Sequence, residues 1–205
     1  MKVSIITVCY NSDEFIIDAI KSVNKQTYHD IEHIFVDGGS SDRTLEIIAK
    51  RSQRSNLVIS EPDNGVYDAM NKGIGLASGK IICFLNSDDF YIDETVIADV
   101  VQAFQKTSAD FLWGNLLFVE QKNTSKVVRK WISKVLVKED LYATHIPPHP
   151  CFFMTSKVAV NHGSFDLRFK IAADFDFMKK VILDPVFNGV YLNRYIVKMR
   201  LGGLS

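Results

Sequence analysis

Unbroken apolar runs alternate with amphipathic stretches over the first ninety residues of the chain. The apolar runs are rich in β-branched residues and predict strands at Val3–Val8, Ile31–Val36, Leu57–Ser60 and Lys80–Leu85. The stretches between them predict helices at Glu14–Asn24, Arg43–Arg51 and Val66–Ala77. Strands that are buried on both faces read as continuous apolar runs. This half of the chain therefore predicts a parallel sheet that is covered by helices.

The pattern becomes more irregular after Asp89. A helix at Asp93–Lys106 precedes two predicted antiparallel strands, Phe111–Glu120 and Val127–Ile132, which a polar segment joins. Beyond three prolines, we expect a short strand at Cys151–Met154, an amphipathic helix at Ala173–Leu183 and a last strand at Tyr191–Arg200. No repeat or linker interrupts the chain. We expect one α/β domain, residues 1–205, with a mainly parallel central sheet and a smaller antiparallel portion in the second half.

The composition narrows the class of protein. Among the 205 residues, 47% are hydrophobic and 23% are charged, as in ordinary globular domains. The 24 basic and 24 acidic side chains cancel, which argues against a nucleic-acid partner because phosphate contacts need a basic excess. No run approaches the ~20 apolar residues of a membrane span. We expect a cytoplasmic protein that at most contacts the inner face of the cell membrane, with three buried free cysteines.

Polar residues follow three of the predicted strands directly, at Tyr10-Asn11, Asp37–Ser40 and Asn86–Asp89. In an open α/β sheet, ligands bind where loops leave the carboxyl ends of the strands. We expect these loops to converge on one crevice. Any single Asp or Asn at such a position could instead form a turn or a helix cap.

The adjacent carboxylates Asp88 and Asp89 are the sharpest local feature. Two neighbouring carboxylates at the end of a buried strand repel each other unless a cation compensates their negative charge. Mg²⁺ or Mn²⁺ held by one or two carboxylates and by substrate phosphates would do so. A helix-capping pair is the alternative. The Gly73–Gly79 segment is no dinucleotide fingerprint, because its third glycine comes one residue late and it ends a helix.

Four segments together resemble glycosyltransferase family 2. They are VSIITVCYN, IFVDGGSSDRT, EPDNGVYDAMNKGIGLASGKIICFLNSDDF and IAADFDFMKKV, and they occur in the family's order and spacing over nearly the whole chain. The resemblance implies the GT-A fold, with a nucleotide-sugar-binding half (1–90) and an acceptor-binding half (91–205). The third segment, with the terminal GGLS, is similar to bacterial enzymes that build colanic acid and other surface polysaccharides.

The resemblance implies roles on the donor side of the crevice. Tyr10 matches the aromatic residue that stacks on the nucleotide base, and Thr7 and Asn11 lie at the same strand end. Asp37 matches the acidic residue that hydrogen-bonds the nucleoside. The family's frequent D-D-G-S is D-G-G-S here, with Gly38 in place of the second acid, so the identity of the base is open.

Asp88 and Asp89 match the D-x-D-type motif of the family, with Mn²⁺ or Mg²⁺ as the implied cofactor. Asp89 is expected to ligate the metal directly, and Asp88 to contact the ribose or the metal.

Asp174 matches the catalytic base of the family's E-D motif, which is Ala173-Asp174 here. A carboxylate beside the acceptor hydroxyl can take its proton as it attacks the anomeric carbon, which inverts that centre. Asp176 is the rival. Because the two positions are about 200° apart on a helix, only one of them can face the crevice.

Two aromatic residues are weaker candidates for contact with a saccharide or lipid-linked acceptor. His149 could contact the acceptor or leaving group, or be a structural loop histidine. Trp113 could stack on a sugar ring or belong to the core. The basic and apolar residues of Lys130-Trp131 and Lys134–Lys138 could touch a lipid headgroup or form a solvated face.

Three functions remain to be weighed. An inverting, metal-dependent glycosyltransferase explains all the matched positions. A nucleotide-sugar-binding module without catalysis is kept open by Ala173, although Asp88, Asp89 and Asp174 are all retained. A nucleotidyltransferase should carry a Gly-rich, basic loop after the first strand, and Cys9–Ser12 is no such loop.

Overall fold

The computed structural model describes residues 1–136 and 146–202 and, of Ser55 and Asn56, the backbone alone. The strands of these ranges form one sheet in the order β3-β2-β1-β4-β8-β6-β9-β5, with β7 paired to β6. They are β1 (Val3–Cys9), β2 (Ile31–Asp37), β3 (Ser55–Ser60), β4 (Ile81–Phe84), β5 (Phe90–Tyr91), β6 (Phe111–Val119), β7 (Val127–Trp131), β8 (Phe152–Thr155) and β9 (Gly189–Arg200).

The first half forms the predicted parallel sheet. Strand β1 pairs in parallel with β2 on one side and with β4 on the other, so that Val3 lies opposite both Ile31 and Ile81. Strand β3 extends the sheet beyond β2, also in parallel. The chain thus runs outward from β1 to β3 and then returns to the other side of β1. Because α/β proteins bind ligands where the strand order reverses, the expected crevice would lie at the carboxyl ends of β1 and β4.

Helices cover both faces of the sheet. The α-helices of the described residues are α1 (Ile16–Asn24), α2 (Thr44–Arg51), α3 (Val66–Leu76), α4 (Val96–Thr107), α5 (Ser156–His162) and α6 (Ala173–Leu183), and His149–Cys151 form a short 3₁₀ helix. Consecutive residues of β1 point to opposite faces: Ile5 packs with α1 and α4, and Ile6 with α3 and α6. A side chain at Gly73 would overlap Ile6, so this glycine lets α3 lie directly on β1.

The second half adds the predicted antiparallel portion. Strand β8 joins β4 to β6 by antiparallel pairing on both of its edges, and β6 and β7 form the expected antiparallel pair. Strand β9 runs parallel to β6 and carries β5 at its outer edge. The two-residue β5 and helix α5 were not predicted, because both are too short to show a hydrophobic period. No helix in the described ranges is long and apolar enough to cross a membrane.

A buried histidine lies inside the parallel sheet. His33 of β2 is fully buried, its Nε2 is 2.9 Å from Oγ1 of Thr7, and its Nδ1 has no hydrogen-bond partner. Burial lowers the pKa of His33 from 6.5 to about 3. The imidazole is therefore neutral in the folded protein at neutral pH.

The folded protein should lose stability in acid because of His33. Its folded pKa lies below its unfolded pKa, so its contribution is fully present above pH 6.5 and is lost as pH falls from 6.5 toward 3. The test is urea unfolding at pH 7 and pH 5 of wild type and of the double variant Thr7→Val/His33→Leu, which replaces both partners. From pH 7 to pH 5, the free energy of unfolding of wild type should fall by about 2 kcal/mol more than that of the variant. Equal losses in both proteins would contradict this role of His33.

Candidate active site

The loop after β1 presents an exposed aromatic ring. Tyr10 is 65% exposed at the carboxyl end of β1. The next residue, Asn11, has a φ of +46° and is fastened to the loop after β2: its N–H donates to Oγ of Ser40 (2.8 Å), and its Oδ1 accepts from N–H of Ser41 (2.9 Å). Asn11 therefore holds the two loops together, and the face of the Tyr10 ring remains available for stacking.

Asp37, at the end of β2, is buried and already saturated by its own surroundings. Its Oδ2 accepts from N–H of Gly39 (3.1 Å), N–H of Ser40 (2.9 Å) and Oγ of Ser60 (2.6 Å), and its Oδ1 accepts from Oγ of Ser40. Burial acts to raise the pKa of Asp37, but these hydrogen bonds outweigh it and hold the pKa below its usual value. The carboxylate anchors the loop and has no free position for the expected nucleoside contact.

The two carboxylates after β4 lie in different environments. Asp88 is partly exposed, whereas Asp89 is 0% exposed and its Oδ2 accepts from Nδ2 of Asn86 (3.1 Å). Burial raises the pKa of both groups, and the charge of Asp88 adds to the increase at Asp89. The sequence led us to expect Asp89 as the direct metal ligand. The geometry favours Asp88 instead, because Asp88 is the carboxylate that reaches solvent.

An arginine at the end of β9 supports the Asp88 loop. Arg200 is 4% exposed, and its Nη1 donates to the main-chain oxygen of Asp88. Its Nη2 donates to Asp18 of α1, and its guanidinium carbon lies 5.1 Å and 5.0 Å from the ring centres of Phe15 and Phe90. Arg200 thereby fixes the backbone at Asp88 with a charge-assisted bond from a strand far along the chain.

The first turn of α6 carries the candidate base. Oδ1 of Asp174 accepts a hydrogen bond of 2.9 Å from the hydroxyl of Tyr67 on α3. Burial and the charge of Asp174 raise the pKa of Tyr67 to about 12, so the phenol stays protonated and keeps donating at neutral pH. The Tyr67 hydroxyl thus orients one oxygen of the Asp174 carboxylate.

The rival carboxylate has a different environment. Asp176 forms an ion pair with Lys180 one turn later on the same helix, at 2.5 Å. Such i, i+4 pairs contribute little and stabilise the helix surface. Asp176 therefore has a structural partner, whereas Asp174 is held by a residue from another element.

His149 lies beside Asp174 in a buried aromatic environment. Its ring centre is 5.1 Å from that of Phe84 and 5.7 Å from that of Phe165, edge-on in the second case. Burial lowers the pKa of His149, and the nearby charge of Asp174 partly offsets this. His149 is thus a neutral imidazole next to the candidate base, on the side of the crevice formed by the second half of the chain.

Direct contacts link these loops around the crevice. Oγ of Ser12, two residues after Tyr10, is 3.0 Å from Oγ of Ser87, which precedes Asp88. On the other side, His149 packs against Phe84 at the end of β4, and Tyr67 connects α3 with α6. The loops after β1, β2 and β4 are thus hydrogen-bonded to one another, and with the start of α6 they form the candidate site region.

Two expected site residues lie outside this region. Thr7 is fully buried within the sheet, where its hydroxyl pairs with His33, and it cannot reach a nucleotide. Trp113 is 3% exposed, stacks near Phe111 and Tyr191, and donates from Nε1 to the main-chain oxygen of Lys134. Both belong to the packed interior, because each lies on a strand with neighbours on both edges.

The basic and apolar segment after β6 is largely solvent-exposed. Within β7, Lys130 is exposed and Trp131 is partly covered by Phe118 and Arg129. Ile132 and Val135 are 64% and 70% exposed. The end of the Lys134–Lys138 stretch, for which lipid contact and a solvated face were both open, lies outside the described residues, as does the terminal GLS of the GGLS motif.

The residues at the end of β4 fit a divalent cation that a substrate also ligates. In the described part of the chain, no group of three or more His, Cys, Asp or Glu side chains could hold a metal alone. Asp88 and Asp89 are, however, two acidic groups whose pKa values burial raises, and Oδ1 of Asp89 is buried with no partner. A cation bound by Asp88 and by phosphate oxygens would compensate this charge.

The chain belongs to the family described as glycosyl transferase family 2, whose model matches residues 4–165. An uncharacterised glycosyltransferase of Mycobacterium tuberculosis (strain CDC 1551) is 36% identical over 188 residues, which cover 90% of this chain and 71% of the relative. A PGL/p-HBAD biosynthesis glycosyltransferase of Mycobacterium bovis is 28% identical over 191 residues, covering 91% and 72% of the two chains. The protein is therefore a glycosyltransferase.

Solved structures show the same GT-A fold. TarS of S. aureus, residues 1–349 in complex with UDP-GlcNAc, has a TM-score of 0.80 at 20% identity and covers 100% of this chain. A mannosyltransferase of Pyrobaculum calidifontis in complex with GDP-Man and Mn²⁺ has a TM-score of 0.70 at 15% identity and covers 95%. The chain spans 60% and 56% of these two structures and 37% of a longer TarS chain.

Three residues that lie in or beside the candidate site were not among the sequence candidates. Tyr67 lies in the GVYDAMN part of the long third motif, and that placement was the available signal. Arg200 ends an apolar strand, where a charged residue needs a buried partner. Asp63 lies in the segment PDNG, whose composition is typical of a turn, and its position beside Tyr10 follows from the packing of two loops.

Proposed function

We propose that the protein is an inverting glycosyltransferase that moves a sugar from a nucleotide-diphosphate sugar to an acceptor hydroxyl, with Mn²⁺ or Mg²⁺ as cofactor. The observation that carries the proposal is the environment of Asp174, whose carboxylate is oriented by Tyr67 and adjoins a neutral, buried His149. Family membership supports a sugar-transfer reaction. The UDP-GlcNAc and the GDP-Man with Mn²⁺ in the two structural neighbours support the class of donor and the metal.

On the donor side, Tyr10 offers its exposed ring to the base, and Asn11 keeps its loop in place. Asp88 would hold the cation together with phosphate oxygens of the donor, and Arg200 holds the Asp88 backbone. Asp89 supports the loop from within the core. A divalent cation, when bound, supplies positive charge that stabilises the departing diphosphate.

On the acceptor side, Asp174 acts as the general base. The acceptor oxygen forms the new glycosidic bond to the anomeric carbon, its proton passes to Asp174, and the bond from that carbon to the nucleoside diphosphate breaks. Attack from the face opposite the leaving group inverts the anomeric centre. His149 adjoins Asp174 and contacts the acceptor, and the Tyr67 hydroxyl keeps the carboxylate pointed at the incoming hydroxyl.

We further propose that residues 1–90 bind the donor and residues 91–205 bind the acceptor, a saccharide or lipid-linked saccharide. The resemblance to enzymes of colanic acid assembly supports a role in bacterial surface polysaccharide synthesis. Work on a lipid-linked acceptor would place the protein in the cytoplasm, at the inner face of the membrane, where the exposed Ile132 and Val135 support peripheral contact.

Donor turnover tests this proposal. The protein is incubated with UDP-, GDP- and dTDP-sugars with Mn²⁺, Mg²⁺ or chelator, and free nucleoside diphosphate is measured with and without acceptors. We expect release from one donor that the chelator abolishes. Tight nucleotide binding with no turnover, even with lipid-linked acceptors, would identify an inactive binding module. Formation of pyrophosphate from a nucleoside triphosphate and a sugar phosphate would identify a nucleotidyltransferase.

A further inference from the structure

Gly38 leaves a space beside Tyr10 that another residue fills. The φ of Gly38 lies outside the left-handed region, so its backbone does not require glycine. A Cβ at this position, however, would lie 2.7 Å from Oδ2 of Asp63 and 3.4 Å from Cδ2 of Tyr10. At the first distance one of the two groups would have to shift. The Asp63 carboxylate therefore occupies the place where an acidic side chain at position 38 would project.

The loop that carries Asp63 is fastened to the end of β2. The N–H of Glu61 donates to the main-chain oxygen of Asp37 (3.0 Å), and Oγ of Ser60 donates to its carboxylate. Oδ1 of Asp63 accepts from the N–H of Gly65 at 2.8 Å, which closes the turn before α3. The carboxylate is thus held over Gly38 by the surrounding backbone.

The second oxygen of Asp63 is free to accept a hydrogen bond. The side chain is partly buried, and among the described residues no protein donor is bonded to its Oδ2. Asp37, by contrast, already accepts from Gly39, Ser40 and Ser60. Of these two carboxylates, Asp63 is the one with an open oxygen, and that oxygen lies near the ring on which a base would stack.

We infer that Asp63 reads the nucleobase of the donor by accepting a hydrogen bond from a ring N–H. Uracil and thymine present such a group at N3, and guanine presents one at N1. Cytosine and adenine carry an unprotonated ring nitrogen at the corresponding edge, which repels a carboxylate. A site built to pair with a donor group rejects bases that lack it. The inference rests on the proposed function, because it assumes a nucleotide beside Tyr10.

Nucleotide titrations test the role of Asp63. UDP, dTDP, GDP, CDP and ADP are titrated calorimetrically into the protein with Mn²⁺. Wild type should bind at least one of the first three more tightly than CDP and ADP. Asp63→Ala should weaken the binding of that preferred nucleotide by about 10- to 100-fold, the effect of losing a hydrogen bond to a charged group. The affinities for CDP and ADP should stay nearly unchanged. Glu61→Gln removes a charge two residues away and should change none of the affinities.

A carboxylate exchange provides the second arm. In the double variant Gly38→Asp/Asp63→Gly the acid projects from position 38 into the same space. The base preference that Asp63→Ala loses should therefore be largely restored. Thermal unfolding of each variant separates recognition from folding. If wild type binds no nucleoside diphosphate, the proposed function fails and the inference with it. If wild type shows no base preference, or if Asp63→Ala keeps it, the inference is overturned while the donor site stands.

Discussion

Asp174→Asn is expected to reduce sugar transfer by about 10²- to 10⁴-fold, the range for a general base in the transition state. The amide keeps the size of the carboxylate and can still accept the hydrogen bond from Tyr67, but it cannot take the acceptor proton. Donor binding should therefore change little. The measurement is transfer rate at saturating donor, together with donor affinity by calorimetry.

Asp176→Asn is the matched control for Asp174→Asn, since it makes the same change two residues along the same helix. It breaks a surface ion pair with Lys180 and should leave the rate within about 2-fold, because such pairs contribute little. If Asp176→Asn abolished transfer while Asp174→Asn kept it, the assignment of the base would be reversed.

Asp88→Asn is expected to lower metal-dependent donor turnover by about 10²- to 10³-fold, the cost of removing one electrostatic stabiliser of a transition state. The partly exposed Asp88 is the carboxylate that reaches the crevice, and its backbone is held by Arg200 independently of its side chain. The folded structure should therefore survive. The measurement is nucleoside diphosphate release as a function of Mn²⁺ concentration, with a higher Mn²⁺ requirement expected in the variant.

Asp89→Asn distinguishes the role of Asp89 from that of the neighbouring Asp88. The substitution replaces a fully buried ionisable group by a neutral one at nearly constant volume, so the free energy of unfolding should stay the same or rise. Turnover should fall far less than in Asp88→Asn. Loss of the Mn²⁺ response in Asp89→Asn with retention in Asp88→Asn would restore the order of roles that the sequence led us to expect.

The inner strands β1 and β4 of the parallel half were predictable because they are covered on both faces, whereas Leu57 and Val58 of the outer strand β3 are exposed. All seven residues of β1 and all four residues of β4 are buried, so the apolar runs mark these strands without ambiguity. The polar residues after them were equally visible, since chain polarity alone places the ends of parallel strands at one edge of a sheet. The GT-A fold that the family resemblance implied is confirmed by the solved structures.

The individual roles within the crevice were harder to predict, because they depend on contacts between distant residues. Tyr67 and Asp174 are 107 positions apart, and Arg200 and Asp88 are 112 positions apart. The order of residues cannot show that the Asp37 carboxylate already accepts hydrogen bonds from its own loop. Nor can it show that Thr7 points into the sheet toward His33, because a one-residue step along a strand reverses the face.

Crystals grown with Mn²⁺ and the preferred nucleoside diphosphate test the central claim, that one crevice holds both the donor diphosphate and its cation. The anomalous signal of manganese locates the ion without reference to the rest of the structure. We predict a single strong peak within bonding distance of the Asp88 carboxylate and of the diphosphate, with the base against Tyr10. A nucleotide bound elsewhere, or a manganese ion with no contact to either Asp88 or Asp89, would contradict it.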